Sequence, residues 1–161
     1  MNEKAAQIVA GLIKKGMKIA IAESLTGGAL SATIVSVPGA SYVLDEAMTT
    51  YSNDAKIARL GVSPQTIENL GAVSAQCAEE MAEGIAKTSG ADYGIATTGI
   101  AGPDGATPQK PVGLVYIGAH HKNKTVSYRY VFEGDRNAVI AQTVNKCLDI
   151  LQGEFKEEHN E

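Results

Sequence analysis

The run Ile19-Ala20-Ile21-Ala22 is followed at once by Glu23-Ser24-Leu25-Thr26-Gly27-Gly28. A short apolar run ended by Ser, Thr and paired Gly reads as a buried strand, a sharp turn and the start of a helix. A strand that is apolar on both faces needs cover on both, which leads to helices above and below a sheet. The same junction places backbone N–H groups and the positive end of a helix dipole beside a hydroxyl that could attack a carbonyl.

The rest of the chain keeps alternating between helical and strand patterns. Apolar positions 5, 6, 8, 9, 12 and 13 predict a helix over about 3–15, ahead of a strand over about 18–22 and a helix over about 27–36. Residues 42–52 form a second apolar segment rich in strand formers. Asn53 is placed to cap a short helix to about 59, and Ser63-Pro64 to begin another. Ser74 is placed to cap a longer helix, about 75–88, followed by a buried strand over about 92–98 and a Gly/Pro loop over 99–111. Alternating strands at about 112–119 and 125–132 meet near Lys122-Asn123-Lys124 in hairpin fashion. Gly134-Asp135 then caps a helix over 136–152, and the charged end, 154–161, is expected to fray. The expectation is a single α/β domain, 1–161: a three-layer α/β/α sandwich with a mixed β-sheet.

Composition narrows the function classes. The 161 residues carry a net charge of −4 and no basic, aromatic-interleaved stripe, which gives nucleic-acid binding no support. The apolar stretch 5–13 is too short to span a bilayer, and as a secretion signal it runs straight into a strand. Cys77 and Cys147 are far apart with no metal-type spacing, which fits a reducing cytoplasm. His120 and His121 are consecutive on a strand and point to opposite faces. No paired-carboxylate, His/Glu or Cys pattern suggests a metal site. The 17 glycines gather at 27–28, 99–105 and 113–118, where tight turns and close approach to a ligand are their natural uses.

Three loops could carry chemistry. Ser24 is a candidate nucleophile, with Thr26, Gly27 and Gly28 supplying the turn and its amides; an N-capping turn would look the same. No histidine is near, so a base must come from Thr50-Tyr51-Ser52-Asn53-Asp54-Ala55-Lys56. Lys56 could serve only if burial or a neighbouring cation lowered its pKa from about 10.4 by roughly three units. Tyr51, five residues earlier, could reach the same pocket. Thr98, Gly99 and Gly102 lie on a glycine-rich loop after a strand, where α/β sheets receive ligands. That loop lacks the Gly-Lys-Ser/Thr ending of an ATP loop. Arg136, at a helix start after Gly134-Asp135, suits a phosphate, although a solvated Arg beside an Asp cap is equally consistent.

Taken in order, these segments resemble the CinA C-terminal domain family, the nicotinamide-nucleotide amidohydrolases. The matching residues are Ala22-Glu23-Ser24 with Thr26-Gly27-Gly28, Thr50-Tyr51-Ser52-Asn53 with Ala55-Lys56, and Gly71-Ala72-Val73-Ser74. They continue through Gly99-Ile100-Ala101-Gly102-Pro103, Lys110-Pro111-Val112-Gly113 and Gly134-Asp135-Arg136, so the resemblance spans about 5–152. Where the family often has Cys after the serine, this chain has Leu25. The resemblance implies hydrolysis of the carboxamide of nicotinamide mononucleotide, with Ser24 as nucleophile, Lys56 as general base and Tyr51 assisting. It implies that Thr98, the Gly99–Gly102 loop and Arg136 serve a nucleotide substrate, with no metal or organic cofactor, no nucleic acid and no membrane partner. A homo-oligomer, dimer or larger, is expected. A non-catalytic pyridine-nucleotide-binding regulatory module is the alternative.

Overall fold

A computed structural model describes residues 2–157. In chain order the elements are α1 (Glu3–Lys15), β1 (Ile19–Glu23), α2 (Ala29–Val35), a single 3-10 turn (Ala40–Tyr42), β2 (Leu44–Thr49) and α3 (Asn53–Leu60). They continue as α4 (Pro64–Leu70), α5 (Ala75–Ser89), β3 (Tyr93–Gly99), β4 (Leu114–His121), β5 (Lys124–Val131) and α6 (Arg136–Glu157). The strands form one mixed sheet in the order β2-β1-β3-β4-β5. β1 runs parallel to both β2 and β3, whereas β4 is antiparallel to β3 and to β5. This is the expected α/β sandwich.

Side-chain alternation along the strands divides the interior into two unequal layers. Ile19, Ile21, Tyr93, Ile95, Val115 and Ile117 face α1, α2 and α6 and make the thicker core with Ile8, Leu12, Leu30 and Leu148. Ala20, Ala22 and Ala96 face the other way, against Met81, Ala82 and Ile85 of α5 and Leu60 at the end of α3. On this second face a Cβ added to Gly94 would lie 2.1 Å from the Ala82 carbonyl oxygen. One added to Gly118 would lie 2.0 Å from that of Ala78. The small residues therefore let the α5 backbone rest almost directly on the sheet. Gly118, grouped by sequence with ligand-approach glycines, is a packing residue.

Several boundaries differ from expectation, each for a local reason. α2 starts at Ala29 because Gly27 and Gly28 take positive φ angles of 57° and 102°, and Gly28 is the N-cap. Ser52, not Asn53, caps α3: its side chain accepts from the Ala55 N–H, and Asn53 is the first helical residue. α6 runs past 152 to Glu157, taking Gly153 and Glu154 into the helix. The remainder of the charged end lies outside the described residues. Ser74 and Asp135 cap as expected, accepting from the N–H groups of Cys77 and Ala138. Among the described residues no helix is long and apolar enough to cross a membrane.

Candidate active site

The parallel strands β2, β1 and β3 end side by side, so the loops that follow them converge. The Thr50 N–H donates to Glu23 O (2.9 Å) and the Ser24 N–H to Thr97 O (3.0 Å), which extends both pairings one residue beyond β1. Ser24 thus leaves the sheet from an interior strand, between β2 and β3, and Lys56, one turn into α3, folds back over it. Nζ of Lys56 lies 3.0 Å from Ser24 Oγ. It also donates to Thr50 O (2.8 Å) and Tyr51 O (3.2 Å).

All three partners of this amine are uncharged, and Lys56 is only 1% exposed. Burial accordingly lowers its pKa from the ordinary lysine value, with Cys77 opposing the shift to a smaller extent. The Cys77 thiol is itself pushed up to about 11, chiefly by burial, so near neutral pH it provides no counter-charge. The geometry accommodates both protonation states, since an ammonium can donate to all three oxygens. An uncharged amine has two N–H donors and one lone pair; the two carbonyls take the donors, which leaves the lone pair for the Ser24 hydroxyl proton.

The depressed pKa makes stability depend on pH. Between the folded and unfolded pKa values of Lys56 the unfolded chain binds more protons, so folding is favoured as pH rises through that window. Compared with Lys56→Met, the wild type gains unfolding free energy at up to about 1.4 kcal/mol per pH unit there. Denaturant titrations of both proteins from pH 7 to 10 check this; a constant difference would show that Lys56 is unshifted.

The turn after Ser24 is wired differently from expectation. The N–H groups of Ala29, Leu30 and Ser31 at the start of α2 are all engaged: Ala29 donates to Thr26 O, Leu30 to Glu23 Oε1 (2.9 Å) and Ser31 to Glu23 Oε2 (3.1 Å). The positive end of this helix is held by a buried carboxylate and is not open to an incoming anion. The Gly27 N–H donates back to Ser24 O (3.1 Å). Among the described residues the uncommitted donors of the turn are the N–H groups of Leu25, Thr26 and Gly28.

Arg136 and Tyr51 form a second cluster at the same rim. Arg136 Nη1 donates to Gly102 O (2.8 Å) and Nη2 to the Tyr51 phenol oxygen (2.9 Å). Tyr51 is 58% exposed, and its phenol rests on Arg136; its backbone carbonyl is the part that contacts Lys56. Among the described residues no carboxylate pairs with Arg136. A guanidinium fixed by two neutral oxygens keeps its charge available to an anion. Thr98 is buried and donates to Ala72 O (2.8 Å), which ties the end of β3 to the 71–74 segment. Gly99 packs against β4, where an added Cβ would meet Leu114 O at 2.7 Å.

Thr26 sits behind the turn. Its hydroxyl donates to Glu23 Oε1 (2.6 Å) and lies 2.8 Å from Thr97 Oγ1, leaving only its N–H for a ligand. Glu23 is the residue that sequence reasoning missed as a contributor. The signal was present: Ile19, Ile21 and Glu23 share one face, so the alternation carries a carboxylate into an apolar core. A cavity of about 610 Å³ at the opposite end of the sheet, among Tyr93, His121, Tyr130 and Lys146, includes none of these groups.

The sequence profile described as the CinA C-terminal domain matches residues 1–155. The chain belongs to the CinA C-terminal domain family. The competence/damage inducible protein CihA from Agrobacterium tumefaciens superposes with a TM-score of 0.92 at 35% identity, covering 94% of this chain and 93% of that one. A CinA superfamily protein from Klebsiella pneumoniae gives 0.93 at 33% identity, with 98% and 99% covered. A CinA-like protein from Endomicrobium trichonymphae is 43% identical over 160 residues, 99% of this chain but 37% of its own length. The chain spans about a third of the length of the curated relatives it matches. CinA membership accounts for the fold, and the names of these relatives specify no reaction.

Proposed function

We propose that the protein is an amidohydrolase that converts the carboxamide of nicotinamide mononucleotide to the carboxylate, releasing ammonia. The observation that carries this reading is the 3.0 Å contact between Ser24 Oγ and a buried, pKa-depressed Lys56 amine. A serine needs a base to attack an amide, and a lysine whose pKa is lowered by burial can act as one.

In the proposed cycle Ser24 Oγ attacks the carboxamide carbon as its proton passes to Lys56 Nζ. The Leu25, Thr26 and Gly28 N–H groups are the available donors for the oxygen that becomes negative. As the tetrahedral intermediate collapses, the C–N bond breaks and Lys56 returns the proton to the departing nitrogen, giving ammonia and an acyl-serine. Water then attacks the ester, Lys56 takes its proton, and Ser24 Oγ leaves with that proton restored. The product acid ionises. Lys56 gives and takes one proton in each half, so its neutral form must be populated at working pH. The rate therefore rises with pH through the depressed Lys56 pKa.

Arg136, which pairs with no carboxylate among the described residues and is held by Gly102 O and the Tyr51 phenol, is assigned the 5′-phosphate. Arg136→Ala is expected to raise KM for nicotinamide mononucleotide at least about 30-fold, the loss of a charge-assisted pair, and to change KM for the unphosphorylated riboside less than about threefold. Equal effects on the two substrates would remove this assignment. Nucleotide binding that raises the unfolding temperature without ammonia release would favour a regulatory module.

A further inference from the structure

We infer that Glu23 is a positioning residue that sets the direction of a buried hydrogen-bond relay ending on the backbone of the nucleophile. Glu23 is 1% exposed, and its carboxylate accepts from Thr26 Oγ1, Leu30 N, Ser31 N and Ser31 Oγ at 2.5–3.1 Å. The two amides can only donate, so the group that satisfies this site is an acceptor on both oxygens, as an ionised carboxylate is. Thr26 has one hydroxyl proton, and the 2.6 Å contact with Glu23 Oε1 uses it. The 2.8 Å contact between Thr26 and Thr97 must then be donated by Thr97 Oγ1. With its own proton spent, Thr97 Oγ1 has a lone pair for the Ser24 N–H, 3.3 Å away, alongside the Thr97 carbonyl.

The relay runs one way: Ser24 N–H to Thr97 hydroxyl, to Thr26 hydroxyl, to the Glu23 carboxylate. It reaches the nucleophile from the α2 side of the sheet, whereas Lys56 reaches it from α3. Bonds in such a chain polarise one another, and a chain anchored on a buried charge holds its geometry. Glu23 thereby fixes where the Ser24 turn begins without touching substrate. A neutral glutamine could present its NH2 to Thr26 or to the Ser31 N–H and lose the direction. The inference rests on Ser24 being the nucleophile of the proposed reaction.

The test uses Glu23→Gln and Thr26→Val in the full chain. It reads kcat and KM for nicotinamide mononucleotide, the unfolding temperature, and the rate at which a fluorophosphonate probe labels Ser24. Misplacing a nucleophile by about 1 Å costs on the order of 100-fold, so each variant is expected to lose about that factor in kcat and in labelling rate, with KM within about threefold. Thr26→Ser, which restores the hydroxyl, recovers most of the loss. The double variant is no worse than the poorer single one, because both cut one relay. Near-wild-type kcat and labelling in either folded single variant would overturn the inference. So would losses that multiply in the double variant and follow the unfolding temperature. If Glu23→Gln fails to fold, Thr26→Val and its serine rescue decide. A wild type that labels but leaves the nucleotide intact would end the amidohydrolase reading while the labelling rates still judge the relay. A wild type that does neither would end both.

Discussion

Ser24→Ala and Lys56→Ala each lower kcat for amide hydrolysis by at least about 10³-fold with the fold retained. The two side chains act as one unit, since among the described residues the Lys56 amine is the basic group that contacts the Ser24 hydroxyl, and its other two contacts are carbonyl oxygens. The double variant should accordingly be little worse than either single one. Lys56→Arg should not rescue, because a guanidinium stays protonated and cannot accept. Steady-state ammonia release with circular dichroism on each variant checks this. Substantial turnover by folded Lys56→Ala would mean that the lysine only packs.

Gly118→Ala is expected to destabilise the protein by about 3 kcal/mol or more, at the upper end of overpacking costs. The new Cβ would sit 2.0 Å from the Ala78 oxygen and 2.5 Å from its carbon, both backbone atoms of α5 that cannot swing aside. For a domain of this size each kcal/mol moves the unfolding temperature by roughly 2–4 °C, so a loss of about 6–12 °C follows. Gly153→Ala is the matching control: it lies within α6, and an added Cβ meets nothing within 4 Å. That change should stabilise by up to about 1 kcal/mol through helix propensity. Calorimetry on the pair distinguishes the two glycines; equal shifts would show that α5 can lift off the sheet at little cost. Lifting it would also disturb the site, because α3 packs on α5 through Leu60 and carries Lys56.

Local chemistry made the elements legible in the sequence, and pairing over distance remained hidden. The apolar run at 19–22 and the turn after it located Ser24, and the absence of histidine pointed to Lys56. Neither could show that β1 and β2 are neighbours, which is what brings residues 32 positions apart within 3.0 Å. Tyr51 was visible as a pocket residue, but its division of labour, carbonyl to Lys56 and phenol to Arg136, depends on where α6 begins. Glycine is ambiguous by nature: Gly28 serves a turn and Gly118 serves packing, and composition cannot separate the two. The Ser52 cap lay one residue from the expected Asn53 because both residue types cap well. Glu23 was overlooked because a carboxylate beside a serine reads as a motif letter until its four donors are seen.

The most direct measurement is ammonia release from nicotinamide mononucleotide by the purified protein in the presence of chelator, with Ser24→Ala alongside. Release by the wild type, with nicotinate mononucleotide formed in equal amount and none from the variant, is the expected result. Equal release from both proteins, or none from either, would contradict a hydrolysis that begins at Ser24.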